Sequence, residues 1–152
     1  MRALLQRVTR ASVRIHGVET GRIERGLVVL LGVSSQDAES DAAYLAERIA
    51  HLRIFQDDDG KTNLSLLEVR GSVLAISQFT LYADCTRGRR PGFSYAGRSE
   101  IAEPLYHRFM ELLRSFGVMV AEGQFGADML VEIHNDGPFT IMLDSDEKRR
   151  ED

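Results

Sequence analysis

MLVEIHNDGPFTIML, residues 129–143, is the stretch that decides the fold of this chain. Apolar residues alternate on both sides of Asn135-Asp136-Gly137-Pro138, and a period of two predicts a half-buried β-strand. Proline lacks the N–H that a sheet needs, so it is confined to strand edges, bulges and turns. Gly137 can take backbone angles closed to other residues, and a bond before proline can be cis. These four residues are typical of a hairpin turn, unless they present a rigid, sharply turned backbone surface.

Length and composition indicate one globular domain. The chain has 152 residues, of which 43% are hydrophobic and 28% are charged. We expect a domain over residues 1–144, followed by a charged, mobile tail over residues 145–152. No apolar stretch approaches the roughly 20 residues of a membrane span, which predicts a cytoplasmic protein without membrane contact. The single cysteine, Cys85, excludes an internal disulfide, and no residues have metal-ligand spacing, so no metal or other cofactor is expected.

The charge distribution limits what the protein can bind. The net charge is −4, which is not that of a general nucleic-acid binder, so any polyanion must be bound locally. The densest basic segment is Arg87-Gly88-Arg89-Arg90, and Phe93, Tyr95 and Arg98 follow it. Positive charge interleaved with aromatic rings can bind phosphates and stack a base. The same composition also fits a solvated surface loop.

Three apolar patterns predict the strands of a sheet. Residues 2–16 alternate in polarity and place Arg7 on the apolar face, where a guanidinium must find acceptors because it cannot lose its proton. The continuous apolar run of residues 27–33 predicts a central strand that is covered on both faces. A second buried strand, residues 73–76, leads into Ser77-Gln78-Phe79-Thr80-Leu81.

Two helices are predicted beside these strands. Ser40 is a suitable N-cap for the first helix, and the second covers about residues 100–116 with Gly117 as its C-terminal cap. Pro104 is unfavourable inside a helix, so either the regular helix begins near Glu103 or its first turn is distorted. The mixed order of elements predicts an α+β domain, with two helices packed on an antiparallel or mixed sheet. The apolar face of the second helix is expected to contain Ile101, Leu105, Phe109, Leu112 and Phe116.

Hydrogen-bonding side chains at the end of the second buried strand form the candidate site. Ser77 and Thr80 carry hydroxyls, Gln78 carries an amide and Phe79 offers an aromatic face, a combination suited to a pocket wall. Ordinary strand composition is the alternative, because serine and threonine are common in strands. Neither a Gly-x-Ser-x-Gly elbow nor a histidine placed as a base is visible. An enzyme of this kind needs an undemanding substrate, such as an activated ester attacked by positioned water.

Two motifs of the chain resemble those of D-aminoacyl-tRNA deacylases. They are Ser77-Gln78-Phe79-Thr80-Leu81 and Asn135-Asp136-Gly137-Pro138-Phe139-Thr140. The resemblance continues in the family's order over nearly the whole chain, up to about Leu143, and two motifs at the expected separation are more specific than either alone. It implies a barrel-like form of the predicted α+β sheet. The other stretches that resemble the family are residues 6–13, 26–33, 60–64 and 123–129.

The resemblance also implies a function. Such an enzyme is a cytoplasmic homodimer that hydrolyses the ester between a D-amino acid, or glycine, and the 3′ end of tRNA. Gly137 and Pro138 would be joined by a cis bond and project into the pocket of the partner subunit, where their backbone excludes an L side chain. Glycine would not be excluded, because it has no side chain. Arg7 would hold the carbonyl groups around this pair. The tRNA-binding residues would be Arg87, Arg89 and Arg90.

The resemblance leaves two roles open for Thr80. Thr80 would act either as a nucleophile or as a positioning group in a reaction where the ribose 2′-hydroxyl of the terminal adenosine assists water. We favour positioning, because no base lies beside the threonine hydroxyl in the motif. Two other functions remain as alternatives: a non-catalytic module that binds aminoacyl-tRNA or nucleic acid, and a general esterase. The residues expected to line the aminoacyl and adenosine pocket are Ser77, Gln78, Phe79 and Thr80, and those with candidate catalytic roles are Ser77, Gln78 and Thr80.

Overall fold

A computed structural model describes residues 1–150 of the chain, with side chains described through residue 148. These residues form eight strands, two α-helices and two short 3-10 turns at Phe79–Tyr82 and Ser145–Arg150. The strands are β1 (Arg2–Ile15), β2 (Val18–Ile23), β3 (Gly26–Gly32), β4 (Arg53–Gln56), β5 (Thr62–Ser65), β6 (Ser72–Ser77), β7 (Val120–Glu122) and β8 (Leu130–Asp144). The helices are α1 (Glu39–His51) and α2 (Ser99–Ser115).

Six of these strands form one mixed sheet. Its order is β2-β1-β3-β6-β7, and β8 pairs with β1 in addition. The pairs that involve β1 are antiparallel, whereas β3 with β6 and β6 with β7 are parallel. The predicted α+β fold, with a mixed and barrel-like sheet and two helices, is confirmed, and β3 is central as predicted. The strands β4 and β5 form a separate antiparallel pair.

The alternating stretch around the Gly-Pro pair forms one long strand, β8, rather than a hairpin. Gln6 of β1 pairs with Thr140, and Val8 pairs with Asn135. Four residues of β8, 136–139, therefore face a single residue of β1, and we call these four the bulge loop. The hairpin interpretation is wrong because β1 runs alongside both halves of the stretch and pairs with each of them.

The buried apolar residues form two clusters, and β1 contributes to both. Ala3 and Leu5 belong to the cluster that also contains the buried faces of the helices. Ala11 and Val13 belong to the second cluster, together with Leu74 of β6. These residues of β1 have the same parity, so the sequence placed them on one face. The register of β1 against β8 shifts in the middle of the strand. After this shift, side chains of the same parity point to the other face of the sheet.

The first helix begins earlier than the sequence predicted. Ala38 is the N-cap, and its N–H donates to the carboxylate of Asp41 at 2.8 Å. The N–H of Asp41 in turn donates to the carbonyl oxygen of Ala38 at 3.0 Å. Ser40 is therefore the second residue of the helix and not its N-cap. The prediction was wrong because the Asp41 carboxylate, three residues after Ala38, accepts a hydrogen bond from the N–H of Ala38 and so caps the helix there.

The second helix agrees with its predicted bounds to within one residue at each end but includes Pro104. Its first turn is closed by hydrogen bonds from the N–H groups of Ile101 and Ala102 to the carbonyl of Arg98, so the expectation of a late start is wrong. Pro104 is the sixth residue of α2, so the carbonyl four residues earlier has no helical N–H donor, and the helix continues past this missing bond. Gly117 follows as predicted, with a φ of +90°.

The face that α2 buries is also different from the predicted one. Only Phe109 belongs to both sets, and Ile101 and Phe116 are exposed. The helix packs against α1 as well as the sheet, and its fully buried stripe is rotated by about one residue from the predicted one. Neither helix in the described part of the chain is long and apolar enough to cross a lipid bilayer. The buried residues of α2 are Ala102, Tyr106, Phe109, Met110 and Leu113.

The packed structure extends past residue 144, where the sequence placed the end of the domain. The side chain of Ser145 is only 1% exposed. Its N–H donates to the carbonyl of Met1 at 2.8 Å, and its hydroxyl accepts a hydrogen bond from the Met1 amino group at 2.7 Å. Ser145 is thus part of the core rather than of a solvated tail. Mobility of the following residues stays a prediction, and residues 151–152 lie outside the described residues.

Candidate active site

A cavity of about 640 Å³ opens where β6 ends. The ends of β3 and β6, the beginning of α2 and the segment that leads into β8 all contribute to its walls. This volume is in the range that accommodates a substrate of the size of a small drug molecule. The polar, charged and aromatic residues that line it are Ser77, Gln78, Phe79, Phe93, Arg98, Ser99, Tyr106, Phe125 and Asp128.

The predicted pocket wall forms because the β3–β6 ladder stops at Ser77. Ser77 pairs with Leu31, and the N–H of Gln78 donates to the Leu31 carbonyl at 2.7 Å. The chain then enters the 3-10 turn that begins at Phe79, so the side chains are no longer held in the sheet. The structure thereby brings Ser77, Gln78 and Phe79 together on one wall of the cavity.

Thr80, the fourth residue of this motif, does not line the cavity. Its side chain is exposed on the 3-10 turn and its hydroxyl accepts a hydrogen bond from the amide of Gln78. In the described part of the chain, no histidine or carboxylate is hydrogen-bonded to this hydroxyl. The arrangement offers no base that would make Thr80 a strong nucleophile. A positioning role through Gln78 therefore stays the better prediction.

The sequence did not assign several polar groups to the cavity, although it placed Arg98 beside the basic segment. Arg98 and Asp128 are the charged residues of the described lining, and Arg98 is also the N-cap of α2. The Tyr106 hydroxyl donates to the carbonyl of Ala75 at 2.8 Å, and burial raises the pKa of this phenol well above its usual value, so it stays a neutral donor. Asp128 lies in the stretch of residues 123–129 that resembles the family, and this resemblance was the signal in the sequence that could have identified it.

Asn135 closes the bulge loop at its base. Its side-chain oxygen accepts a hydrogen bond from the N–H of Phe139 at 3.0 Å, and its amide donates to the Thr140 hydroxyl at 3.1 Å. Gly137 has a φ of +136°, and its bond to Pro138 is cis. Both of these residues are exposed, and neither lines the cavity of its own chain. The bulge loop thus presents a fixed backbone surface to the outside.

Arg7 lies beneath the bulge loop, facing inward as the strand parity predicted, and is only 7% exposed. Its Nη1 donates to the carbonyl of Ile54 at 2.7 Å and its Nε donates to the carbonyl of Asp136 at 3.2 Å. The guanidinium also lies over the Phe139 ring, 4.5 Å from its centroid. Its Nε is also 3.7 Å from the carboxylate of Asp136. The buried charge therefore has the acceptors it requires, and three of its contacts are with the bulge loop.

The remaining predicted site residues lie on the loop before α2. Arg87, Arg89 and Arg90 are exposed, and no ion pair joins them to a carboxylate in the part of the chain that the structure describes. They are free to meet an anion from solution. Among the described residues, no group of three or more His, Cys, Asp or Glu side chains is placed to hold a metal ion.

The fold and this site together define a class of protein: a small α+β domain with a polar pocket at a strand end and an exposed Gly-Pro bulge on β8. A family model described as D-Tyr-tRNA(Tyr) deacylase matches residues 4–144. A D-aminoacyl-tRNA deacylase of Fervidobacterium nodosum is 60% identical over 95% of this chain and 97% of its own, and one of Thermus aquaticus is 55% identical over 97% of each. The chain belongs to the D-aminoacyl-tRNA deacylase family and is an enzyme that hydrolyses aminoacyl-tRNA esters.

Solved structures of similar proteins agree with this fold. One described as c-Myc DNA Unwinding Element Binding Protein superposes with a TM-score of 0.89, at 40% identity, over 95% of this chain and 98% of its own. A second, described as a probable eukaryotic D-amino acid tRNA deacylase, has a TM-score of 0.82 over 93% of this chain and 97% of its own. The second is 18% identical, so it supports the fold alone.

Proposed function

We propose that this protein is a cytoplasmic homodimer that removes D-amino acids, and also glycine, from the 3′ end of tRNA and rejects L-aminoacyl-tRNA. The observation that carries the proposal is the pocket wall formed by Ser77, Gln78 and Phe79, in a chain 60% identical to a D-aminoacyl-tRNA deacylase. The reaction adds water across the ester. The hydroxyl group joins the carbonyl carbon of the amino acid, and the proton goes to the ribose oxygen of the terminal adenosine.

The site is suited to orienting the ester and the attacking water rather than to forming a covalent intermediate. An aminoacyl ester is activated, so oriented water and donors for the developing oxyanion are enough to accelerate its hydrolysis. Ser77 and Gln78 offer side-chain donors at the cavity wall. The ribose 2′-hydroxyl of the substrate assists the attacking water, and Thr80 fixes the Gln78 amide through their hydrogen bond.

Rejection of L-amino acids is assigned to the bulge loop of the partner subunit. Gly137 and Pro138 are exposed and lie outside the cavity of their own chain, which leaves them available to enter the cavity of a second copy. Their backbone blocks the direction in which an L side chain points, whereas a D side chain points elsewhere. Glycine has no side chain to block and is accepted. Arg7 and Asn135 support this screen by holding the bulge loop in place.

The proposed function is tested with tRNA charged with a D-amino acid, its L-enantiomer or glycine. Release of each amino acid is followed over time with the purified protein. We expect D-aminoacyl-tRNA and glycyl-tRNA to be hydrolysed and L-aminoacyl-tRNA to persist. Equal release of L and D forms would contradict the chiral screen. An ester that survives in a stoichiometric complex would favour the alternative of a non-catalytic binding module, and hydrolysis of small esters without tRNA would favour a general esterase.

Replacing Thr80 with alanine is expected to slow deacylation about 10-fold without abolishing it, because the change removes one hydrogen bond to Gln78 and no nucleophile. The rate is measured at saturating D-aminoacyl-tRNA. Thr20→Ala on β2 is the matched control, because Thr20 is also exposed but is not the residue that accepts the Gln78 hydrogen bond. Complete loss of activity in a folded protein that still binds tRNA would show that Thr80 is the nucleophile.

A further inference from the structure

Three aromatic side chains are exposed beside the mouth of the cavity. Phe79 is 55% exposed, Phe93 is 38% exposed and Tyr95 is 61% exposed. Phe79 and Phe93 line the cavity. Tyr95 does not line it, but in the sequence it lies between Phe93 and another lining residue, Ala96. We call these three residues the aromatic ledge. Large rings are usually buried, so a group of them at the mouth of a binding cavity indicates an interaction surface.

The backbone of the aromatic ledge is held in place although its rings are exposed. The rings of Phe79 and Phe93 meet edge to face, with their centroids 4.9 Å apart. The Tyr95 carbonyl accepts a hydrogen bond from the N–H of Ser35 at 3.3 Å, and the N–H of Gly97 donates to the carbonyl of Val33 at 2.8 Å. The ledge is therefore built on the loop after β3, and its rings are not simply the tip of an unsupported segment.

The loop that leads to the aromatic ledge carries a concentration of positive charge. Asp84 and Gly92 close this loop with two backbone hydrogen bonds of 2.7 and 2.8 Å. The one carboxylate in it, Asp84, accepts hydrogen bonds from the side chain and backbone of Thr86, which lower its pKa. Because Asp84 is hydrogen-bonded to Thr86, it does not neutralise the arginines of residues 87–90. These arginines are exposed, in a protein whose net charge is −4. Cations beside exposed rings are the combination that binds single-stranded nucleic acid.

We propose that Phe93 and Tyr95 stack the unpaired bases that precede the terminal adenosine of the tRNA substrate, while the arginines of residues 87–90 contact the phosphates between them. This inference rests on the proposed function. A cavity of about 640 Å³ accommodates an amino acid and one nucleoside, so the rest of the unpaired end must leave across the mouth, where the aromatic ledge lies. Stacking uses the faces of the bases, so this contact tolerates any sequence.

The inference is tested by comparing two substrates that differ only beyond the terminal nucleoside: D-aminoacyl-tRNA and D-aminoacyl-adenosine. For each protein, kcat/KM is measured on both, and the ratio of the first to the second is calculated. Tyr95→Leu keeps an apolar side chain and removes the ring, so we expect this ratio to fall about 10-fold. Tyr95→Phe keeps the ring and is expected to hold the ratio within about twofold of wild type.

The controls separate this inference from the proposed function. Met119→Ala removes another exposed apolar side chain, 62% exposed and outside the cavity, and is expected to leave the ratio unchanged. An unchanged ratio in Tyr95→Leu, or an equal loss in Tyr95→Phe, would overturn the stacking contact even though the enzyme is a deacylase. A wild-type protein that releases nothing from D-aminoacyl-tRNA would instead overturn the proposed function, and the stacking contact with it.

Discussion

Replacing Gly26 with alanine is expected to lower the free energy of unfolding by about 3 kcal/mol or more, because no space exists for the added methyl group. Gly26 pairs with Ser72 at the start of the parallel β3–β6 ladder. A Cβ atom at Gly26 would lie 1.8 Å from the Ser72 carbonyl oxygen and 2.7 Å from the Ser72 carbonyl carbon. Both are backbone atoms, so the two strands would have to separate to relieve the contact.

Urea denaturation followed by circular dichroism measures this effect, at the same protein concentration for each variant. Gly60→Ala is the matched control, because Gly60 has a φ of +75° and its added Cβ would meet no atom within 4 Å. Its cost is that of the backbone conformation alone, about 1 kcal/mol. Equal losses in the two variants would show that contact with Ser72 is not the cause.

Replacing Arg7 with alanine is expected to reduce discrimination between D- and L-aminoacyl-tRNA about 10-fold or more. The change removes three contacts with the bulge loop: the hydrogen bond to the Asp136 carbonyl, the 3.7 Å ion pair with the Asp136 carboxylate and the cation–π contact with Phe139. A hydrogen bond from a charged donor is worth about 1.5 to 3 kcal/mol, so its loss is enough to let the loop move. Stability also falls, because the buried Ile54 carbonyl loses its 2.7 Å donor.

The ratio of kcat/KM for the two enantiomers is the appropriate readout, because both values are measured on one preparation and the folded fraction cancels. Arg10→Ala is the control: Arg10 lies on the same strand but is exposed and hydrogen-bonded only to His134 in the described part of the chain. We expect it to leave the ratio unchanged. If Arg7→Ala keeps both the chiral ratio and the dimer, Arg7 does not hold the screen.

The fold was predictable where a local pattern has one physical solution. The apolar run of residues 27–33 is short and rich in β-branched residues, which favours a strand covered on both faces, and β3 is central. The alternation in residues 2–16 identified β1 and the inward position of Arg7. The alternation did not reveal that side chains in the second half of β1 point to the other face of the sheet. That change depends on the register of β1 against β8, which lies more than a hundred residues away in the sequence.

The candidate site was predictable to the extent that it lies in continuous motifs. Ser77, Gln78 and Phe79 are neighbours in sequence and remain neighbours on the cavity wall. Thr80 is excluded from that wall because the 3-10 turn rotates it away, and a periodic pattern of four residues does not encode such a turn. Arg98 and Asp128 come from separate segments that meet only when α2 and β8 pack on the sheet. Tertiary packing alone brings them together.

The pairing of β1 with β8 has a consequence for synthesis of the protein. Arg2 and Asp144 are joined by a side-chain hydrogen bond across 142 positions of the sequence, and β8 lies beside most of β1. The ribosome releases β1 first and β8 last among the strands of this sheet. Until residues 130–144 emerge, one edge of β1 has no partner and remains open to pairing with another chain. The pairing of β1 with β8 therefore forms only after nearly all of the chain has been made, and until then the open edge of β1 is a site for pairing between nascent copies.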